Sequence, residues 1–369
     1  MNKRVRHVLG ISGGKDSAAL AIYLKKKYPQ LDIEYYFCDT GKELKESYRI
    51  LENLQVFLGK EIKRLRAASG YHGDPFDYYY ELYRGFLPSS NARWCTKTLK
   101  LEPFEEFVGK DPVVSYVAIR GDEDREGYIS KKPNIQSIFP FRKNIWSEDV
   151  IEKVLDNKNK NIISGIFQKQ LENDKIPNMI ENILYKSTTP SYTRERKLKD
   201  LLSAGVVLFN KAVFEFLKTT DYPLSHLDTF PLLDNQDVLV RDDIFRILEE
   251  SGVGIPEYYK SIEFTVNGKT GTYSRSRSGC FFCFFQQKIE WVWLYEQHPD
   301  LFKKAMEYEN SGFNWKQDEK LEDLIKPERI NRIKEEYIKR NGFSSEKKSG
   351  FLIDVLGIAE DEGCAVCFL

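Results

Sequence analysis

"HVLGISGGKDS", His7 to Ser17, joins a short apolar run to a glycine-rich turn, and "AALAIYL", Ala18 to Leu24, then carries apolar residues at helical spacing. The order is strand, tight turn, helix. Backbone NH groups approach an anion closely only where side chains are missing, which accounts for Gly13 and Gly14 just before the helix start. Ser12 and Ser17 add hydroxyl donors, and Lys15 adds a mobile positive charge. Asp16 is the informative residue, because a carboxylate beside phosphates makes sense where it helps to hold Mg²⁺. The spacing is not the GxxxxGK[ST] of kinase-type loops.

Outward from this turn, "IEYYFCDTG" (33–41) reads as a second strand ending in Asp39, Thr40 and Gly41, and "ELKESYRILENLQVFLG" (43–59) as an amphipathic helix. A third strand runs from Val113 to Ile119 into the polar "RGDEDR", which holds Arg120 and Arg125. Strands alternating with helices predict an α/β fold, a Rossmann-like (HUP) doubly wound parallel sheet, whose ligands lie at the carboxyl ends of the strands. All three loops fall there. Residues 1–150 form this core, and 151–228, with "DNKNKN" and "ERKLKDLLSAGVVLFNKAVFEFLK", read as a helical insertion. Residues 229–300 return to the core with "RSRSGCFFCFF" and a helix over "QQKIEWVWLYEQHPDLFKKAMEYE", while 301–369 form a helical C-terminal region ending in "EGCAVCFL".

Charge balances at 56 basic against 56 acidic residues in 369, so no global positive field announces nucleic acid. The apolar run near the start is too short for a secretion signal and no segment approaches a membrane span, so the expected location is cytoplasmic, with no membrane partner. In a reducing compartment the six cysteines are better read as metal ligands or reactive thiols than as disulfides. His7, His72, His226 and His298 share no ligand spacing; Trp291 and Trp293 read as core, and Arg194, Arg196, Lys197 and Lys199 as a solvated helix face.

Cys95 stands between Arg93 and Lys97, and Cys280 and Cys283 form a CxxC turn among Phe281, Phe282, Phe284 and Phe285. A dry thiolate shell suits an iron-sulfur cluster, and zinc is the alternative. Cys364 and Cys367 form a second CxxC.

The SGGxDS loop resembles that of the adenine nucleotide alpha-hydrolase (PP-loop) superfamily. "FCDTGKELKESY", the arginines of "IRGDEDREGY", "RWCT..LK" and "R.GC..C" together resemble the iron-sulfur branch of the phosphoadenylylsulfate reductase family. They are most similar to the sulfurtransferase-like subunits of bacterial DNA phosphorothioation systems (DndC and SspD type). The resemblance covers roughly residues 7–146 and 240–300. It implies cleavage of ATP to AMP and pyrophosphate, with Ser12, Gly13, Gly14, Lys15, Asp16, Ser17, Asp39, Thr40 and Gly41 at the nucleotide and Lys15, Asp16 and Arg120 in catalysis. It also implies a [4Fe-4S] cluster on Cys95, Cys280, Cys283 and Cys364, with Cys367 the alternative fourth ligand. A second arrangement leaves three cysteines on the cluster and the tail thiols as a persulfide relay. The implied partners are a cysteine desulfurase, other phosphorothioation subunits and DNA as substrate. The intact loop favours ATP over a pre-activated substrate, whereas an adenylylsulfate-type reductase has adjacent cysteines where this chain has Trp94-Cys95. A reductase releasing sulfite, a tRNA thiolase and a nucleotide sensor are the competing readings.

Overall fold

The computed structural model describes residues 4–124, 130–170 and 178–344, so Arg125, Cys364 and Cys367 lie outside the described residues. Five parallel strands, β1 (Arg6–Gly10), β2 (Ile33–Cys38), β3 (Ile62–Leu65), β4 (Val113–Tyr116) and β5 (Ile135–Ile138), form one sheet in the order β3-β2-β1-β4-β5. The α/β reading of the sequence is thus the fold observed, with helices in the 151–228 stretch and the C-terminal region.

Alternation along the strands sorts the core onto two faces. Val8, Tyr36, Val113 and Ile135 pack with Phe104 and Val108 on one side. Leu9, Tyr35, Phe37, Val114 and Tyr116 pack on the other with helix α1 (Lys15–Lys27), which is buried from Lys15 through Leu24. Burial explains why α1 is apolar on every side from Ala18 through Leu24, beyond the polar Lys15, Asp16 and Ser17 of its first turn.

From β1 the chain builds outward to β2 and β3, then crosses to β4 on the other flank of β1. Order reversal beside β1 opens a crevice at the carboxyl ends of β1 and β4, where ligands of doubly wound sheets bind. The glycine turn and the loop carrying Arg120 therefore face one another across it.

The helices Glu148–Val154, Lys160–Gln170, Asn178–Tyr185 and Arg194–Leu217 share the apolar cluster of the α1 face. Lys197 is not on a solvated face: it is buried, and Nζ donates to the carbonyls of Leu184 and Lys186 at 3.0 and 2.8 Å. Arg194 pairs with Glu152 at 2.5 Å. A hairpin of β6 (Ile262–Val266) and β7 (Lys269–Tyr273) turns through Asn267-Gly268, both with positive φ. The long helix expected after the CxxC turn is two, Lys288–Gln297 and Pro299–Glu307, because Pro299 lacks the amide that would continue the first. Trp291 and Trp293 are buried in a second apolar cluster with Phe76, Phe282 and Trp315. Among the described residues no helix is long and apolar enough to cross a membrane.

Candidate active site

Gly13 adopts φ 72°, and a Cβ there would lie 2.8 Å from the Ser47 Cβ, so the turn tolerates only glycine. Gly14 is the N-cap of α1 and supplies no side-chain cap. The first amides of the helix are met by neighbours instead. Gly14 N donates to Ser12 Oγ at 3.3 Å and Lys15 N to Tyr259 Oη at 3.4 Å. Ser12 Oγ stands 3.2 Å from Ser17 Oγ and 3.1 Å from Ser278 Oγ, and Tyr258 Oη donates to the Gly13 carbonyl at 2.9 Å. These hydroxyl contacts lie where a helix N-terminus favours an anion.

The charged groups follow the same logic. Lys15 is buried, its Nζ 3.1 Å from Asp16 Oδ2 and 4.6 Å from the centre of the Tyr259 ring. Burial lowers its pKa, against the pull of Asp16. Arg120 crosses the crevice from the end of β4 and places Nη1 2.9 Å from Asp16 Oδ1 and 3.0 Å from Glu123 Oε1. Burial works against its charge, but Asp16 and Glu123 outweigh it, and the guanidinium pKa rises. Asp16 thus sits between two cations that a bound polyphosphate would draw toward itself.

The loop after β2 turns toward the cysteines. Asp39 is buried and Oδ1 accepts from Gly41 N at 3.0 Å and Tyr48 Oη at 2.9 Å, with Arg66 Nη1 3.8 Å from Oδ2. Thr40 Oγ1 donates to Glu43 Oε1 at 2.7 Å and lies 3.2 Å from Cys280 Sγ. Burial raises the Glu43 carboxyl and the Cys280 thiol. Gly41, at φ 78°, packs against Asp74, which with Asp77 holds the buried Lys42 at 2.8 and 2.7 Å. The Lys42 carbonyl accepts from Phe281 N at 2.8 Å and so ties the CxxC segment to this loop.

Cys95, Cys280 and Cys283 line one pocket, with Thr40, Lys100, Ser278 and an apolar wall that includes Phe76, Phe282 and Trp315. Cys95 and Lys100 share it because the chain from Trp94 makes a helical turn and then a π-helical one, Lys97–Leu101, a form frequent at functional sites. Arg275 is buried behind the turn and donates from Nη2 to the Cys280 carbonyl at 3.1 Å. Cys38, by contrast, is buried at the end of β2, its thiol pushed up to about 12 by burial.

The three thiols suit soft metals chemically. Among the described residues, however, no three His, Cys, Asp or Glu side chains are grouped as a metal site. The fourth ligand expected from the sequence, Cys364 or Cys367, lies outside the described residues.

Ser12, Gly13, Gly14, Lys15, Asp16, Ser17 and Arg120 meet at one end of the sheet, while of Asp39, Thr40 and Gly41 it is Thr40 that lines the cysteine pocket. Tyr258, Tyr259, Ser278 and Glu43 are members that sequence reasoning missed, whereas Lys100 closes the "RWCT..LK" motif. Tyr258 reaches Gly13 from 245 positions away, and no local pattern announces such a contact. A Cβ on Gly14 would come within 2.9 Å of Ser278 Cβ and 3.1 Å of Tyr259 Oη. Gly14→Ala should therefore push this cap off the loop and, where the loop binds ATP as its motif implies, weaken Mg-ATP binding by about tenfold or more, read by calorimetry. Unchanged affinity would mean that the cap is no part of such a site.

No protein-family model matches the chain. Over 166 residues it is 31% identical to an uncharacterised protein of Methanocaldococcus jannaschii, MJ0066, covering 41% of this chain and 32% of that one. A second protein of that organism, MJ0973, is 27% identical over 42% of this chain and 39% of its own length. The tRNA-specific 2-thiouridylase MnmA of Aeromonas hydrophila is 23% identical over 128 residues, 32% of this chain and 33% of that one. The chain thus spans about a third of the length of the curated relatives it matches. The likeness to MnmA and the parallel sheet fit the PP-loop superfamily of ATP-using enzymes.

Proposed function

We propose that the chain is an ATP-dependent sulfurtransferase, which cleaves ATP to pyrophosphate and AMP, places the AMP on an acceptor oxygen and replaces that oxygen with sulfur. The observation that carries this reading is Ser278, which contacts Ser12 of the glycine loop and also lines the pocket of Cys95, Cys280 and Cys283. A site for phosphates and a site for sulfur share a wall.

In this reading the Gly13-Gly14 turn and the first amides of α1 bind the β- and γ-phosphates and leave the α-phosphate open. Lys15 and Arg120 offset the negative charge, and Asp16 holds Mg²⁺, which screens the phosphates when bound. The acceptor oxygen attacks the α-phosphorus and pyrophosphate leaves. A cysteine desulfurase loads one pocket thiol as a persulfide, whose outer sulfur attacks the acceptor atom as the oxygen departs with AMP. A second thiol then attacks the sulfur it is bound through, forming a disulfide that an external thiol reduces. An iron-sulfur cluster on Cys95, Cys280 and Cys283, completed by Cys364 or Cys367, would occupy these same thiols and hold sulfide in place of the persulfide, and no step above is routed through it.

The motifs that resemble the phosphorothioation subunits make the DNA backbone, presented with partner subunits, the first acceptor to try. The likeness to tRNA-specific 2-thiouridylases favours a tRNA acceptor as the second reading. The deciding assay takes anaerobically purified protein with Mg-ATP, a desulfurase and labelled cysteine, and offers DNA and tRNA separately. Pyrophosphate release with label in one acceptor is the expected result; thiol-dependent sulfite from adenylylsulfate without ATP cleavage would replace this reading with the reductase. Metal analysis of the same preparation separates iron and sulfide from zinc.

A further inference from the structure

Ser278 does more than stand between two sites. Its hydroxyl joins those of Ser12 and Ser17 in a chain across the mouth of the glycine loop, at successive separations of 3.1 and 3.2 Å. The Gly14 amide already donates into this chain through Ser12. Hydroxyls both donate and accept, so each can turn its proton toward an anionic oxygen that arrives at the amide. An oxyanion drawn to the Gly14 amide therefore meets the Ser278 hydroxyl next.

On its other side Ser278 is two residues from a pinned thiol. Gly279 follows with φ 115°, a backbone state that side chains rarely adopt. Cys280 is then fixed from behind, by the Arg275 guanidinium on its carbonyl, by Thr40 near its sulfur and by the Phe281 amide on Lys42. A shift of Ser278 cannot be absorbed beyond Cys280 without breaking these bonds. It falls instead on Gly279 and on the wall of the pocket.

We propose that Ser278 is a phosphate-binding residue delivered by the cysteine segment, and that through Gly279 it makes the thiol pocket sense a pyrophosphate oxyanion in the glycine loop. This rests on the ATP reading above. The consequence is an order of events: the wall beside the pinned thiols takes one arrangement while the pyrophosphate moiety occupies the loop and another once it has left, which keeps a loaded persulfide from reacting while bound ATP is still uncleaved.

The test uses full-length anaerobic protein, with Mg-pyrophosphate and Mg-ATP as probes. Affinity is measured by calorimetry, and alkylation of Cys280 and Cys283 is followed by peptide mass spectrometry, or metal loss to a chelator where the thiols prove metal-bound. Mg-pyrophosphate should change the alkylation or release rate of the parent protein about fivefold or more, a shift well within the reach of a coupling of this kind. Ser278→Ala should bind pyrophosphate about tenfold more weakly, as expected for one lost hydrogen bond to a charged group, and its cysteines should no longer respond at saturating ligand. Its unliganded alkylation rate, equal to that of the parent, shows that the pocket has kept its shape. Binding with no response of the parent thiols overturns the coupling alone, and tight binding by Ser278→Ala overturns the contact. Absence of any nucleotide binding overturns the ATP reading with it.

Discussion

An Asp16→Ala protein should release pyrophosphate from Mg-ATP at least about a hundredfold more slowly than the parent, and it should also be less stable before any ligand is added. Both effects come from one carboxylate. Asp16 is buried with Lys15 Nζ and Arg120 Nη1 at 3.1 and 2.9 Å. Removing one member of a buried ion pair leaves the other charge uncompensated, which costs about 3–5 kcal/mol. Arg120 retains Glu123 and Asp122, so the loss falls on Lys15, whose charge burial already disfavours. Mg-ATP supplies negative charge at the same place and should restore part of the melting temperature by binding the folded state. A purely structural aspartate would lower stability without slowing turnover in the surviving folded fraction. A variant that turns over within threefold of the parent would therefore remove Asp16 from the reaction.

The part of this site that could be read from the sequence is the part whose chemistry is local. Gly13 and Gly14 must be small because of the turn they make, and the helix that follows must be apolar because it is buried on all sides, so the loop announces itself within a dozen residues. The strands β1, β2 and β4 are mostly apolar and mostly buried, and are legible for the same reason. The strand β3, Ile62-Lys63-Arg64-Leu65, has two exposed charges in four residues and lies at the sheet edge, where burial imposes no pattern. The hairpin at Asn267-Gly268 carries a signal of its own, the dipeptide that favours a type I′ turn. The break at Pro299 was equally visible.

What the sequence could not show is contact between remote segments. Tyr258, Tyr259 and Ser278 cap the glycine loop because the second apolar cluster, built on Trp291, Phe282 and Trp315, carries the 258–280 stretch back to the sheet. Nothing in "EYY" or "RSRSG" specifies a phosphate. The cysteines were legible as a set, but their shared pocket depends on the π-helical turn after Cys95 and on the bond between Phe281 and Lys42. One apolar cluster therefore positions both the loop's cap and the CxxC turn.

That arrangement makes Cys280→Ser the sharpest separation of the two halves of the proposed reaction. Sulfur incorporation should fall by more than about a thousandfold, because serine cannot carry a persulfide and is a far weaker nucleophile at neutral pH. The fold should survive. Serine Oγ can keep the contact with Thr40 Oγ1, now 3.2 Å from the sulfur, while Arg275 and Phe281 hold the backbone on either side as before. Calorimetric binding of Mg-ATP should therefore persist, since no atom of the glycine loop is altered. Burial raises the Cys280 thiol, so in the free pocket the sulfur is protonated at neutral pH, and loading it requires that the proton leave. Thr40 links that thiol to the Glu43 carboxyl, which can take the proton along this path. Glu43→Gln should then slow loading of the parent cysteine by a desulfurase while leaving ATP binding in place, and Cys280→Ser should make that loading undetectable. Persulfide appearing at Cys95 or Cys283 at the parent rate in Cys280→Ser would move the sulfur-carrying role to one of those thiols and leave Cys280 as a wall of the pocket.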